Sequence, residues 1–177
     1  MLLPKVMEIG VTQRWKHKKA VYQPLREYFN PTHFEIAEIG EAIAKDFVTT
    51  SHYTNAYPVA RKRFGLFEKG NLVGVAVYSH PMSEKVITNV FNCEKASDGL
   101  ELGRLVLLDS VLSNAESFFV AECHRRLKML GYVGVVSFSD DLPRYSAEGK
   151  KTFVGHLGIV YQALGAAFLN RSSPIKQ

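Results

Sequence analysis

The chain has 177 residues, 46% hydrophobic and 22% charged, enough for one folded domain with a sizeable core. Its net charge of +5 and pI of about 9.2 suit an anionic partner such as nucleic acid, or simply a basic soluble enzyme, and charge alone leaves both open. No apolar run is long enough to span a membrane, residues 1–4 hold no signal peptide, and Cys93 and Cys123 have neither metal nor redox spacing, so a reduced, cytoplasmic setting is expected.

Residues 5–13 read as a first strand. Residues 14–19 (RWKHKK), followed by Tyr22 and Arg26, interleave basic and aromatic side chains. That pattern suits phosphate contact with base stacking, and equally a solvated, irregular N-terminal segment. Residues 34–48 carry Ile36, Ile39, Ile43 and Phe47 at helical spacing behind the turn and cap signal Asn30-Pro31-Thr32, which predicts a helix. It runs into a polar, turn-like stretch, residues 49–55. There His52 and Tyr53 are adjacent polar rings that either serve a site or sit on the surface.

Residues 63–68 and 72–79 are predicted strands, joined through the hairpin signal Lys69-Gly70-Asn71. Gly65 and Gly74 inside them imply a bulge or a close backbone approach. Arg61, Lys62 and Arg63 form a basic knot at one end, and His80-Pro81 closes the second strand. Residues 82–99 are mixed, with an apolar patch at 86–91 that takes no firm assignment before the Asp98-Gly99 turn.

The chain is organised around residues 100–141, which read as strand, loop, helix, strand. Residues 101–109 (ELGRLVLLD) are a mostly apolar strand in which Arg104 alternates with Leu102 and Val106 on one face. Residues 113–130 are an amphipathic helix. Ser113 with Glu116 makes a capping box; Phe119, Cys123, Leu127 and Leu130 share a stripe; Arg125, Arg126 and Lys128 suit the dipole's negative end; Gly131 stops it. Residues 132–139 are a second strand, parallel to the first through a right-handed crossover. The helix start offers backbone N–H groups to an anion or a polarised carbonyl. Ser139 and Asp140 close the second strand, where open α/β sheets bind ligands. Lys150 and Lys151 follow, then a glycine-rich turn (residues 154–163) entering a helix or strand, and a polar tail expected to fray.

The chain lacks a Walker loop, a dinucleotide fingerprint, a zinc-finger pattern and a nucleophile elbow. Arg104, amid apolar neighbours, needs a paired charge or a ligand: an internal ion pair with Asp109, Asp140 or another acid, or an anion clamp. Asn114 and Ser117 either cap the helix or form a hydrogen-bonding rim around a group donor. Asp140 can orient an amine or act as a base. Tyr161 serves a leaving group or packs with its hydroxyl satisfied. His52, Tyr53, Asp140, His156 and Tyr161 are also N/O ligands of a type iron accepts.

The order hairpin, strand, helix, strand, glycine-rich turn, helix resembles the GNAT acyltransferase fold, an α/β mixed sheet with a splayed parallel strand pair and flanking helices. That resemblance implies a donor pantetheine entering the gap and a pyrophosphate capped by the helix. A closer match runs from residue 47 to residue 171. Glu101-Leu102-Gly103-Arg104-Leu105-Val106, Asn114-x-x-Ser117-Phe118-Phe119, Ser137-Phe138-Ser139-Asp140 and Gly155-His156-x-Gly158-x-x-Tyr161-Gln162-Ala163 are similar to the Mom-type phage DNA-modification proteins. So are Ser51-His52-Tyr53 and Ala56-Tyr57-Pro58. Residues 1–30 match little, so the expectation is one GNAT-like domain over 1–177 with a poorly matched basic N-terminal segment and a frayed tail from 171.

The resemblance implies a transferase that converts adenine in phage DNA to its N6-carbamoylmethyl form, blocking host restriction. It carries catalytic roles onto Arg104, Asp140 and Tyr161 and puts His52 and Tyr53 on the substrate side. Beside them, Ser139 is expected to join the catalytic residues, His156 the substrate side, and Asn114 and Ser117 the donor. Arg61, Lys62 and Arg63 are expected to hold DNA. The expected partners are double-stranded DNA and a small-molecule group donor, in the host cytoplasm, with no membrane partner and a homodimer left open. Residues 111–116 hold no glycine, which limits backbone approach to a pyrophosphate, so the donor is open between an acyl-CoA and another activated carboxyl compound. Two other readings remain: an acetyl-CoA-dependent small-molecule N-acyltransferase, and a non-enzymatic DNA-binding anti-restriction module.

Overall fold

The computed structural model describes residues 11–16, 19–24, 29–52, 54–112, 114–140, 142–153 and 158–171. The first described elements are β1 (Val11–Lys16) and β2 (Lys19–Pro24), an antiparallel ribbon paired only with itself. Of the predicted first strand, residues 5–10 lie outside the described residues. A 3-10 turn, Pro31–His33, follows, and the Asn30 side chain accepts hydrogen bonds from the backbone N–H and the hydroxyl of Thr32.

The predicted helix over residues 34–48 is two elements. Phe34–Glu38 is a strand, β3, and helix α1 spans Glu41–Ser51 with Gly40 at its N-cap. Phe34 is buried between exposed neighbours on the strand, whereas Ala44 and Val48, one turn apart, carry the buried stripe of the helix. Ile43, expected in the core, is 54% exposed. The helical spacing of Ile36, Ile39 and Ile43 spans this break, and pairing of β3 on the next strand overrides it.

Strands β4 (Ala60–Glu68) and β5 (Asn71–Ser79) form the predicted hairpin. Lys69 and Gly70 both have positive φ, 50° and 80°, the twist that two-residue hairpin turns require. The unassigned apolar patch is helix α2 (Lys85–Phe91). Then come β6 (Gly99–Leu107), α3 (Ala115–Met129) and β7 (Gly134–Val136). The chain ends with the small antiparallel pair β8 (Arg144–Tyr145) and β9 (Lys151–Phe153), and helix α4 (Ile159–Ala163).

The main sheet runs β3-β4-β5-β6-β7, antiparallel throughout except for the parallel pair β6–β7. This is the GNAT-like mixed sheet. One face packs Tyr78, Leu102, Phe64 and Leu107 against Phe119, Cys123 and Leu127 of α3. The other packs Val75, Val77 and Val106 against Ala44 and Val48 of α1. Removing a side chain such as Phe119 from this core costs ~3–5 kcal/mol. Gly131, at φ 91°, ends α3 as expected: its N–H bonds Lys128 O and the Tyr132 N–H bonds Leu127 O, which satisfies two orphan carbonyls. Leu130, beyond the last turn, is 56% exposed and drops out of the predicted stripe.

Candidate functional site

Strand β7 pairs with β6 over only three positions, Gly99 with Gly134, Leu100 with Val135 and Glu101 with Val136. Beyond them β6 continues to Leu107, while the described chain after Val136 pairs with no strand of the main sheet. The two parallel strands therefore part at their C-terminal ends. The predicted strand over 132–139 is short for this reason.

A β-bulge marks the same place. In the β5–β6 register Val77 faces Arg104 and Tyr78 faces Leu102, leaving Gly103 as the extra residue. A Cβ at Gly103 would lie 2.9 Å from the Ser79 hydroxyl and 3.3 Å from Pro58, so the bulge is built on a glycine pressed against β5 and the loop after α1. The bulge also corrects the predicted alternation. Arg104 shares its face with Val106 but not with Leu102, which turns into the α3 side of the core.

On the α1 face, the Arg104 Nε donates to the Ala56 carbonyl at 2.9 Å and one terminal nitrogen donates to the Gly103 carbonyl. The ion pair with Asp109 or Asp140 considered above is not made. Backbone carbonyls hold the guanidinium, and Asp140 pairs instead with Arg144 and accepts from the Leu142 N–H at 3.4 Å. Glu101, half-buried at the last paired position, has its carboxyl pKa raised by desolvation, partly offset by Arg104. Glu101 opens the Glu101–Val106 block of the family resemblance but was assigned no role; an acid on an apolar strand was the available signal.

Arg104 thereby ties β6 to the loop holding His52. His52 is buried rather than on the surface. Its Nδ1 accepts the Thr54 backbone N–H at 3.2 Å and lies 2.9 Å from the Thr54 hydroxyl, so in the neutral ring the proton belongs on Nε2. Tyr53 lies outside the described residues.

After β7, Ser139 and Tyr161 both border Gly158. An ideal Cβ there would lie 3.5 Å from Ser139 Oγ and 3.0 Å from the Tyr161 ring. Gly158 has φ 67° and starts α4, so its glycine answers both to the turn and to this contact. Tyr161 packs on the α3 face of the core, below the fully buried Tyr78. Among the described residues the Tyr78 hydroxyl meets only the Cys123 thiol, and burial drives its pKa far up, with Cys123 and Tyr161 adding to it. The Cys123 thiol beside it is pushed up to about 12 by burial. His124 stacks edgewise on Tyr78 at 5.9 Å, and burial lowers its pKa, keeping it neutral. His156 lies outside the described residues.

The start of α3 departs from the capping box. Ser113 lies outside the described residues, and the N-cap position is Asn114 at φ 73°, with no side-chain cap bond. The Ser117 hydroxyl donates back to the Asn114 carbonyl at 3.0 Å. Asn114 thus makes a left-handed turn without a glycine, while Glu116 sets an acid in the first turn.

The basic knot is largely neutralised. Lys62 bonds the Glu38 carboxylate at 3.1 Å, and Arg63 pairs with Glu41 at 3.7 Å and donates to the Ile39 carbonyl. Arg61 alone is exposed and makes no ion pair among the described residues. Among those residues no three His, Cys, Asp or Glu side chains cluster to hold a metal, so the iron reading finds no support there. No helix among them is long and apolar enough to cross a membrane.

The family model of the Mom protein family matches residues 33–175. The chain belongs to the Mom protein family. Two solved structures are similar to it. An aminoglycoside N-acetyltransferase, AAC(6′)-Iy, in complex with CoA, is similar at TM-score 0.50 and 16% identity, over 82% of this chain and 95% of its own. A ribosomal-protein-alanine N-acetyltransferase from Brucella melitensis biovar Abortus 2308 is similar at TM-score 0.49 and 14% identity, over 81% and 98%. No curated protein matches the chain. In this Mom-family protein β6 and β7 therefore part within a GNAT-like fold, with Arg104 of β6 tied to the loop holding His52 and with Ser139 and Asp140 on the chain that follows β7.

Proposed function

We propose that this Mom-family protein is a group transferase acting on the exocyclic N6 amine of adenine in double-stranded DNA, a carbamoylmethylation that shields phage DNA from host restriction. The observation that carries the reading is the parting of β6 and β7 at the Gly103 bulge in a chain of the Mom family. The N6 lone pair is delocalised into the ring, so the amine needs orientation and loss of a proton as it attacks. Asp140, its carboxylate held by Arg144, accepts that proton. The donor's leaving group departs with its bonding pair, and Tyr161 supplies a proton to it. Arg104 spends part of its fork on two carbonyls and keeps further donors for the group being transferred. The adenine must leave the base stack to reach such a site. The His52 loop takes the substrate side.

An acyl-CoA donor would set its pyrophosphate on the start of α3, where Asn114 makes the turn and Glu116 opposes the charge. The alternative donor is an activated carboxyl compound without a diphosphate. Either transfers an acyl group if N6 attacks its carbonyl; the carbamoylmethyl product requires N6 to attack the donor's methylene carbon, the bond from that carbon to the leaving group breaking with its electron pair. The test is mass spectrometry of nucleosides from cells expressing the protein beside an Asp140→Ala control. A new adenosine mass present in the first and absent in the second supports the reading; unmodified DNA in both overturns it. Stabilisation by acetyl-CoA without DNA binding selects a small-molecule N-acyltransferase instead. Restriction protection that survives Asp140→Ala selects a non-enzymatic DNA-binding module.

A further inference from the structure

The ribbon β1–β2 lies ahead of the family match and plays no part in the chemistry above. Its register is regular: Arg14 faces Val21, Trp15 faces Ala20, Gln13 faces Tyr22 and Lys16 faces Lys19. Cross-strand partners share a face, and successive residues alternate. Arg14, Lys16 and Lys19 are thus placed on one face, Trp15 and Tyr22 on the other. No acid occurs between Val11 and Pro24. Lys16 and Lys19 are direct register partners, so the end of the ribbon sets two basic residues at one position. β2 lies against β9, in the small pair that follows Asp140 in the chain, so the ribbon stands beside the segment leaving the site.

We propose that the β1–β2 ribbon is the grip on duplex DNA, its Arg14–Lys16–Lys19 face meeting phosphates beside the opening between β6 and β7. The inference rests on the DNA reading above. A two-stranded ribbon fits the major groove of B-form DNA, ~12 Å wide, whereas the major groove of an RNA helix is too narrow for it. Six residues span ~20 Å, enough to reach phosphates on both walls.

The experiment titrates duplex DNA into the full chain over a salt series, following anisotropy of labelled DNA and the emission of Trp15, the only tryptophan. Wild type is compared with R14A/K16A/K19A and with the charge-conserving R14K/K16R/K19R, each checked for an unchanged melting temperature. The alanine variant is expected to lose at least tenfold in affinity at low salt. Its log–log salt slope should fall by ~2–3, about 0.9 per phosphate contact released. The conservative variant should bind like wild type. Trp15 emission should shift on binding in wild type and not in the alanine variant. Wild-type binding with an unchanged slope in the alanine variant overturns the ribbon's role and leaves the adenine reading standing. Tighter binding to double-stranded RNA than to DNA also overturns it. No binding by wild type at low salt overturns both.

Discussion

Glu101 and Arg104 lie on the same face of β6 although they are three residues apart, because the bulge at Gly103 inserts one residue between them. Glu101 faces Ser79 and Arg104 faces Val77, two positions on one side of β5. In a regular strand they would point to opposite faces. The bulge therefore brings an acid and a base together where β6 loses its parallel neighbour.

Arg104 is expected to position as well as bind. Arg104→Lys keeps the charge but loses the fork that spans the Ala56 and Gly103 carbonyls. A guanidinium–carbonyl bond contributes ~1.5–3 kcal/mol, and less where half-exposed. The melting temperature should fall by about 5 °C, and adenine modification, read by nucleoside mass spectrometry, should fall as far as in Arg104→Ala. Full activity in the lysine variant would show that charge alone suffices.

Glu101 predicts a pH signature. Its folded pKa lies above the unfolded value, so the folded state holds the proton more tightly. Stability is full below the unfolded pKa and is lost as pH rises through the folded one. Glu101→Gln removes that loss. Its melting temperature relative to wild type should be higher at pH 8 than at pH 4. A pH-independent difference would mean that Arg104 cancels the desolvation.

The two thiols should separate cleanly. Cys123 is fully buried, with its pKa at about 12, while Cys93 is half-buried. A disulfide reagent at pH 8 should titrate one thiol in the native protein and two in denaturant. Two fast thiols in the native state would contradict the packing of α3 on Tyr78.

Glu116 bears on the donor. If an acyl-CoA docks at the start of α3, Glu116→Gln should widen the thermal shift caused by acetyl-CoA. An acetyl-CoA shift equal in both proteins would place the anionic group elsewhere. No shift in either assigns the donor to another class.

Local signals in the sequence carried well. Gly131 ends α3, Lys69-Gly70 turns the hairpin, and Phe119, Cys123 and Leu127 form the buried stripe. Each depends on a few neighbouring residues. The break within residues 34–48 did not show, because β3 exists only through its pairing with β4. The Gly103 bulge is likewise a property of two strands in register, so the side of the sheet on which Arg104 stands could not be read from alternation. Tyr78 had no motif to mark it, Glu101 had no assigned role within its own, and the environment of both comes from distant packing. Of the candidate residues, Ser139 and Tyr161 both border Gly158, Arg104 joins the His52 loop, and Lys62 and Arg63 are held by nearby acids.

A sheet ordinarily has two rims, its outermost strands. The early departure of β7 gives this one an inner rim along the second half of β6, where peptide groups rather than side chains face the vacancy. A guest read through the main chain is insensitive to which residue types line the strand. Point replacements along that rim, Gly103 and Arg104 apart, should be tolerated more readily than a one-residue insertion or deletion, which would slide every peptide dipole out of phase with its guest.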